Sequence, residues 1–241
     1  EDEETPDRLR DVSVSLNNVG NILEIRGDTS GALERYEESL LIARQLLEDE
    51  ETPDRLRDVS VSLNKVGNIL ENRGDRSGAL ERYEESLVIR RQLLEDEETP
   101  DRLRDVSVSL DNVGNILEGR GDTSGAVECY EESLAIVRQL LEDEETPDRL
   151  RDVSVSLVNL GNILESRGDT SSALERFEES LVIGRQLLED EATPDRLRDV
   201  SVSLDNVGNI LESRGDTSGA LERYEESLVI GRQLLEDEET L

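Results

Sequence analysis

Apolar residues recur along the chain at steps of three and four residues, the spacing of one face of an α-helix. A first stripe consists of Leu9, Val12, Leu16, Val19, Gly20 and Leu23, and a second of Ala32, Tyr36, Leu40, Ala43 and Leu47. Before the first stripe stand Thr5, Pro6 and Asp7, the cap, proline and acid of a helix start. Between the stripes, Gly27 and Asp28 suit a left-handed C-cap and a second N-cap. The pattern predicts two antiparallel helices, from Pro6 to about Ile25 and from Asp28 to about Glu48.

The whole pattern returns every 47 residues without an insertion, because the segment that begins at Thr5 begins again at Thr52, Thr99, Thr146 and Thr193. A fixed period of this size is typical of repeat proteins whose units bury their apolar faces only against their neighbours. The predicted repeats are 1–47, 48–94, 95–141, 142–188 and 189–235, and 236–241 starts a truncated sixth. We therefore expect an all-α fold, one continuous α-solenoid of five antiparallel helix pairs, cut from a longer array.

Gly20 lies inside the first predicted helix, where glycine costs roughly 1 kcal/mol of helix propensity relative to Ala. A packing reason is expected, since a missing side chain lets the second helix approach with the bulky ring of Tyr36. The same pair recurs as Gly67 with Tyr83, Gly114 with Tyr130, Gly161 with Phe177 and Gly208 with Tyr224.

These residues resemble the tetratricopeptide repeat (TPR), whose pattern of large, small and aromatic positions is met by Leu16, Val19, Gly20, Leu23, Ala32, Tyr36 and Ser39. Arg44 stands where a proline usually ends the second helix, so that helix can continue. The period resembles the long variant of about 42 to 47 residues, as in kinesin light chain-like and in bacterial and fungal receptor arrays. The resemblance implies a right-handed superhelix whose concave wall is formed by the first helix of each pair, helix A. It also implies a scaffold for protein–protein interaction.

The wall-facing side of helix A, opposite its packing stripe, carries Arg10, Val14, Asn17, Asn21 and Glu24. Amide groups carry both donors and an acceptor, so a row of Asn side chains could hold the backbone of an extended peptide. The alternative is a solvated face whose side chains cross-link neighbouring helices. The candidate ligand-binding residues are Arg10, Asn17, Asn21, Glu24, Arg57, Asn64, Asn68, Glu71, Arg104, Asp111, Asn115, Glu118, Arg151, Val158, Asn162, Glu165, Arg198, Asp205, Asn209 and Glu212.

Two further positions vary between repeats that are otherwise nearly identical. The end of helix A holds Ile25, Asn72, Gly119, Ser166 and Ser213, and the second helix, helix B, holds Ala43, Arg90, Val137, Gly184 and Gly231. Such changes within a fixed framework resemble the recognition positions of a ligand-sensing repeat region in a nucleotide-switch immune-type receptor. The alternative is drift at tolerant exposed sites.

The chain has 60 acidic and 27 basic residues, all but one of them Arg, and a net charge of -33. The acidic excess concentrates in the loops Glu1 to Glu4, Glu48 to Glu51, Glu95 to Glu98, Glu142 to Glu145 and Glu189 to Glu191. An acidic edge of this kind repels nucleic acid and anionic membranes and favours a basic protein or peptide as the partner. A row of loops that only keeps the array soluble is the alternative.

No catalytic or cofactor chemistry is expected. The chain has no His, one Cys (Cys129, at a position that holds Arg in the other repeats) and no Gly-rich phosphate loop. Its acidic loops lack the ligand spacing of an EF-hand, so no metal site is expected. With no signal peptide or membrane-spanning run, a cytoplasmic location is expected.

Three functions follow from these features: an interaction scaffold, the sensor region of a larger receptor and a purely structural spacer. No helix A follows the last repeat to cover Tyr224, Leu228 and Leu235. End-to-end self-association through the uncapped terminal repeats is therefore also expected.

Overall fold

The structure, a computed structural model, describes residues 5–239, and the side chains of residues 5–235. Within this range the chain forms ten α-helices and no strand. Odd-numbered helices are the A helices and even-numbered helices the B helices of successive repeats. They are α1 (Pro6–Ile25), α2 (Thr29–Asp49), α3 (Pro53–Asn72), α4 (Arg76–Asp96), α5 (Pro100–Gly119), α6 (Thr123–Asp143), α7 (Pro147–Ser166), α8 (Thr170–Asp190), α9 (Pro194–Ser213) and α10 (Thr217–Glu239).

The helices begin where their capping residues predict. Thr52 Oγ1 accepts a hydrogen bond from Arg55 N at 3.3 Å, and Pro53 occupies the first helical position. Asp75 Oδ1 caps α4 by accepting from Gly78 N at 3.0 Å. Gly74, with φ of 81°, makes the turn between the two helices, a left-handed conformation that favours glycine. The predicted bounds are thereby confirmed, with Asp28 as the N-cap of the first helix B and its end at Asp49, one residue later than expected.

An arginine joins each helix B to the following helix A, a contact that the apolar pattern does not indicate. Arg55 Nη1 donates to the carbonyl oxygens of Leu46 and Glu50, both at 2.8 Å. These carbonyls end α2, so the guanidinium satisfies acceptors that the helix leaves open. The same contact recurs at Arg102, Arg149 and Arg196.

The chain divides into two compact units, one ending at Asp122 and the other beginning at Thr123. In the first unit α1 to α5 pack in sequence order, each helix on the next. In the second unit α6 to α10 do the same. Successive packing of helix pairs is the arrangement of an α-solenoid, as predicted.

Each core is built from the predicted stripes. In the first unit Tyr36, Val59 and Leu63 are buried, and in the second their counterparts Phe177, Val200 and Leu204 are buried. One residue differs from the expected pattern: Leu46 is 3% exposed while Leu47 is only partly buried. Leu46 follows Ala43 by three residues, which keeps it on the side of helix B that faces the next helix A.

The small glycine of helix A allows close contact with the aromatic ring of helix B. A Cβ atom at Gly67 would lie 2.6 Å from Cε1 of Tyr83, and one at Gly208 would lie 2.6 Å from Cε1 of Tyr224. Real atoms do not approach so closely, so only glycine fits. The predicted packing reason for this mid-helix glycine is confirmed.

Candidate functional site

A groove of about 250 Å³ lies on the A helices of repeats 1 and 2, and it brings four of the candidate binding residues together. These are Arg10, Asn17, Asn21 and Arg57. The remaining lining residues are Ser13, Val14, Asn18, Asp58, Val61 and Lys65. The groove thus combines amides, cations and two aliphatic side chains within one surface depression.

The Asn and Glu series of the predicted wall also make internal contacts. The hydroxyl of Tyr36 donates to Asn21 Oδ1 at 2.8 Å or to Glu24 Oε2 at 3.0 Å. A phenol has one proton, so it serves one acceptor at a time. The same arrangement joins Tyr83 to Asn68 and Glu71, and Tyr224 to Asn209 and Glu212. In these repeats the two side chains link helix A to helix B, which supports the cross-linking alternative.

The buried tyrosines stay protonated. Burial raises the pKa of Tyr36, and the hydrogen bond to Glu24 and the negative charge of that residue raise it further. Burial raises the pKa of Tyr83 in the same way, with the charge of Glu71 adding to it. Each hydroxyl can therefore act as a donor to its carboxylate over the physiological pH range.

Repeat 4 provides a natural comparison, because Phe177 replaces the tyrosine. Asn162 and Glu165 accordingly hydrogen-bond to no side chain that the structure describes. The polar groups of this repeat are thus free for solvent or a ligand, in contrast with those of repeats 1, 2 and 5.

We expect Tyr83→Phe to lower the free energy of unfolding by about 1 kcal/mol, because it removes one hydrogen bond and leaves its two acceptors exposed to water. Phe177→Tyr, the reciprocal change, is expected to raise it by a similar amount by joining Asn162 or Glu165. Urea unfolding followed by circular dichroism measures both. If both variants matched the parent, the hydroxyl contacts would contribute nothing to stability.

The predicted Arg series pairs with the following repeat. Arg10 Nε donates to Asp58 Oδ2 at 2.7 Å, and Arg151 Nε donates to Asp199 Oδ2 at 2.8 Å. The hydrogen bond and charge of Asp58 raise the pKa of Arg10. Arg57 contacts Asp105 more loosely, at 3.4 Å, and Arg198 pairs with Asp195 of its own helix at 3.3 Å. Being exposed, these pairs add little stability.

One variable wall position forms part of a buried polar cluster. Asn64, with its amide oriented to suit both neighbours, donates to Ser86 Oγ at 3.0 Å and accepts from Arg90 Nη2 at 2.8 Å. Arg90 Nη1 donates to the carbonyl oxygen of Asp105 at 2.6 Å and to Ser109 Oγ at 3.0 Å. The Arg90 side chain is buried, which lowers its pKa, and it forms no ion pair with a carboxylate that the structure describes.

The variable positions differ in exposure. At the end of helix A the residues are exposed: Ile25, Asn72, Gly119, Ser166 and Ser213. In helix B, Ala43, Arg90, Val137 and Gly184 are buried, and only Gly231 is partly exposed. A Cβ atom at Gly184 would lie 2.8 Å from Val200 Cγ2, so this position faces the next helix A. Drift at exposed sites therefore suits the first series and does not suit the second.

The remaining candidate residues lie at the surface or near it. Arg104, Asn115, Asn162, Asp205, Asn209 and Glu212 are exposed, and Asp111, Glu118, Val158 and Glu165 are partly buried. Arg151, Arg198, Asn68 and Glu71 are exposed as well. The structure places them on A helices, as predicted.

A second groove, of about 110 Å³, lies on the A helices of repeats 4 and 5. It is lined by Ser154, Val155, Val158, Asn159, Asp199, Val202 and Ser203. All of these positions except that of Ser203 correspond to positions of the first groove three repeats earlier, with Val158 where that groove has Asn17. At that point the second groove is more apolar than the first.

Lys65 is one of the groove residues that the helical pattern does not indicate. Its Nζ donates to Asn21 Oδ1 at 2.8 Å and lies 5.2 Å from the ring centroid of Tyr36. The sequence feature that could have identified Lys65 is its residue type, since it is the one basic residue of the chain that is not Arg.

The acidic loops are exposed where the structure describes them, from residue 48 to 51, 95 to 98, 142 to 145 and 189 to 191. The loop Glu1 to Glu4 lies outside the described residues. Among residues 5–239 no group of His, Cys, Asp and Glu side chains is arranged to hold a metal ion. No helix in that range is long and apolar enough to cross a bilayer.

Solved structures share the fold. BtubC (BKLC) from P. vanneervenii superimposes with a TM-score of 0.76 at 21% identity, over 95% of this chain and 83% of that one. A Podosopora anserina protein, described as a candidate kinesin light chain with nearly identical TPR-like repeats, gives 0.70 at 23% identity, over 96% and 98%. A Rap protein complexed with Competence and Sporulation Factor gives 0.64 at 14%, over 92% of this chain and 54% of that one. A comparison with the sequences of curated proteins finds no match.

Family profiles identify the repeats themselves. One profile described as tetratricopeptide repeat matches residues 12–54, 59–101 and 200–238, which together make up more than half of the chain. A second profile with the same description matches residues 105–186. With the helix pairs and the glycine–aromatic contacts, these matches show that the chain belongs to the tetratricopeptide repeat family.

Proposed function

We propose that this chain is an interaction scaffold that binds an extended peptide or protein segment on the face formed by its A helices. Repeats of this family typically serve as protein–protein interaction modules rather than as enzymes. The proposal adds the face that binds and the form of the ligand.

The observation that carries the proposal is the groove of repeats 1 and 2. Oδ1 of Asn17, which lines it, is buried and accepts no hydrogen bond from any described residue. A buried acceptor without a donor costs about 1 to 3 kcal/mol, so rotation of the partly exposed Asn17 side chain toward the groove, where a ligand N–H could satisfy it, would favour binding. The backbone of an extended peptide offers such donors at regular intervals.

A matched pair of variants tests which face binds. Val14 lines the groove and is 52% exposed, whereas Leu41, on helix B, is 67% exposed and lies outside that groove. Peptides are first selected on the parent chain from a phage library of random dodecapeptides. Val14→Arg is then expected to weaken their binding about tenfold or more, because an extra cation and a longer side chain fill the groove. Leu41→Arg, with the same change of charge, is expected to leave binding unchanged.

Isothermal titration calorimetry with the selected peptides measures both effects. Loss of binding in Leu41→Arg with full binding in Val14→Arg would assign the ligand to the B helices instead. Failure of the parent to select any peptide would favour the spacer alternative.

The character of the partner follows from the loops. Their exposed acidic residues would speed the approach of a segment that is basic overall and repel nucleic acid and anionic membranes. We propose accordingly a cytoplasmic protein partner and no catalytic role. A ligand-sensing role predicts that exchange of residues within the exposed variable series at Ile25 alters which peptides are selected, whereas drift predicts no change.

We also propose end-to-end association for a chain that consists of residues 1–241. Val19 and Ile22 of α1 are about half exposed, whereas their counterparts Val66 and Ile69, which face the preceding helix B, are buried. At the other end Leu228 and Leu235 of α10 are exposed. Stacking α10 of one copy on α1 of another would reproduce the contact between α2 and α3.

Sedimentation velocity is expected to show association that increases with concentration and that Ile22→Glu abolishes. A strictly monomeric chain at high concentration would contradict the proposal. Both chain ends carry the same Glu-Asp-Glu-Glu-Thr segment.

A further inference from the structure

Lys65 is the only lysine of the chain, and it lies partly buried on α3 in the groove of repeats 1 and 2. It forms one hydrogen bond, to Asn21, and lies over the ring of Tyr36. No ion pair joins it to any carboxylate that the structure describes. Because an ammonium group carries three donors, it keeps donors for a ligand.

The groove around Lys65 is locally cationic in a strongly acidic chain. Its lining contains Arg10, Arg57 and Lys65 against a single carboxylate, Asp58, while the chain as a whole has a net charge of -33. Asp58 is taken by Arg10, and Arg57 contacts Asp105. Among the described residues, the Lys65 ammonium forms no ion pair, and the one carboxylate whose charge acts on it from a distance is Glu24, which accepts a hydrogen bond from Tyr36. Burial lowers the pKa of Lys65 and the charge of Glu24 opposes that shift, so an anion brought into the groove would stabilise the charged form further.

The corresponding groove of repeats 4 and 5 lacks this charge. At the position of Lys65, repeat 5 has Asn206, while Arg151 and Arg198 stand at the positions of Arg10 and Arg57, so the lysine is the basic residue in which the two sites differ. Repeats 1, 3 and 4 carry Asn at this position as well, namely Asn18, Asn112 and Asn159. One repeat boundary therefore differs in charge from an otherwise similar series.

On a face built from nearly identical repeats, the position at which a bound peptide aligns with the repeats is ambiguous. A peptide held only by the shared Asn and Glu side chains would bind almost equally well after a shift by one repeat. In coiled coils a single polar residue within a uniform interface fixes the register, because only one alignment satisfies it. A unique charge can do the same here.

We propose that Lys65 fixes the register of the bound segment by pairing with an acidic side chain of that segment. This inference rests on the proposed function, binding of an extended segment to the A helices. It is compatible with a partner that is basic overall, since none of the acidic loop residues that the structure describes lines the groove around Lys65.

Selection of random dodecapeptides on phage, on the parent chain and on Lys65→Asn, tests the proposal. Asn is the residue of the other four repeats, so the variant is expected to fold, and circular dichroism checks this. Peptides selected on the parent are expected to share an Asp or Glu at one position. Changing that residue to Asn or Gln is expected to weaken binding to the parent about tenfold and to leave binding to Lys65→Asn unchanged.

Moving the charge provides the positive control. Asn206→Lys, introduced into Lys65→Asn, is expected to restore the preference for an acidic residue. The proposal is overturned if parent-selected peptides show no acidic position, or if that preference persists in Lys65→Asn. Selection of no peptide at all overturns the proposed function, and this inference with it.

Discussion

Gly67→Val is expected to lower the free energy of unfolding by about 3 kcal/mol, the upper end of the usual cost of overpacking a core. The new Cβ would lie 2.6 Å from Cε1 and 2.9 Å from Cδ1 of Tyr83. That ring is 1% exposed and is held between α3 and α4, and its hydroxyl is fixed by Asn68 and Glu71. The ring therefore has no free space into which it could move.

A second helical glycine provides the matched control. At Gly231, in α10, a Cβ atom would meet nothing within 4 Å. Gly231→Val is expected to leave stability unchanged or to raise it slightly, since Val has a higher helix propensity than Gly. Urea unfolding followed by circular dichroism measures both variants. Equal stabilities for the two would show that the contact between Gly67 and Tyr83 relaxes without cost.

The helices and their pairing could be predicted because their signals are local. Thr52 with Pro53, and Gly74 with Asp75, mark helix ends within a few residues of sequence, and the structure uses them as expected. The fit of glycine to tyrosine could also be predicted, because glycine inside a helix is unfavourable without a packing reason. Because these signals repeat, they also predict that each helix packs on the next, which the structure shows within each unit.

Contacts between long side chains of different repeats could not be predicted from periodicity. A helical wheel gives the face on which a residue lies, but it does not give the partner that a flexible side chain reaches. The pattern therefore does not indicate that Arg55 links α2 to α3. It also does not indicate that Lys65 contacts Asn21. The Asn21 amide is a candidate for ligand binding, with cross-linking of helices as the alternative, and its oxygen lies within hydrogen-bond distance of two donors of the chain itself.

The contacts of Arg90, a buried residue, could not be predicted from the sequence either. The five repeats have Ala, Arg, Val, Gly and Gly at this position, which suggests recognition or drift at an exposed site, because Arg is rarely buried. The structure buries it, since helix B faces the next helix A there, and Arg90 reaches the carbonyl oxygen of Asp105 and the hydroxyl of Ser109. Sequence variation at this position therefore changes the interface between repeats 2 and 3.

Arg90→Val is expected to raise the free energy of unfolding by about 1 to 3 kcal/mol, because an apolar residue often stabilises a site from which it removes a buried charge. Arg90 is 6% exposed, the groups that its guanidinium hydrogen-bonds are neutral, and its Nε has no hydrogen-bond partner among the described residues. Valine suits the position, since Val137 occupies it in repeat 3 and is 3% exposed.

Arg91→Val is the control for this change, because Arg91 is exposed on the same helix and the substitution alters net charge and helix propensity equally. The difference between the two variants in urea unfolding then compares the loss of a buried arginine with the loss of an exposed one. If Arg90→Val were the less stable of the two, the hydrogen bonds to Asn64, Asp105 and Ser109 would outweigh the cost of burying the charge. Arg90 would then join repeats 2 and 3 more strongly than the aliphatic residue found at the same position in repeat 3.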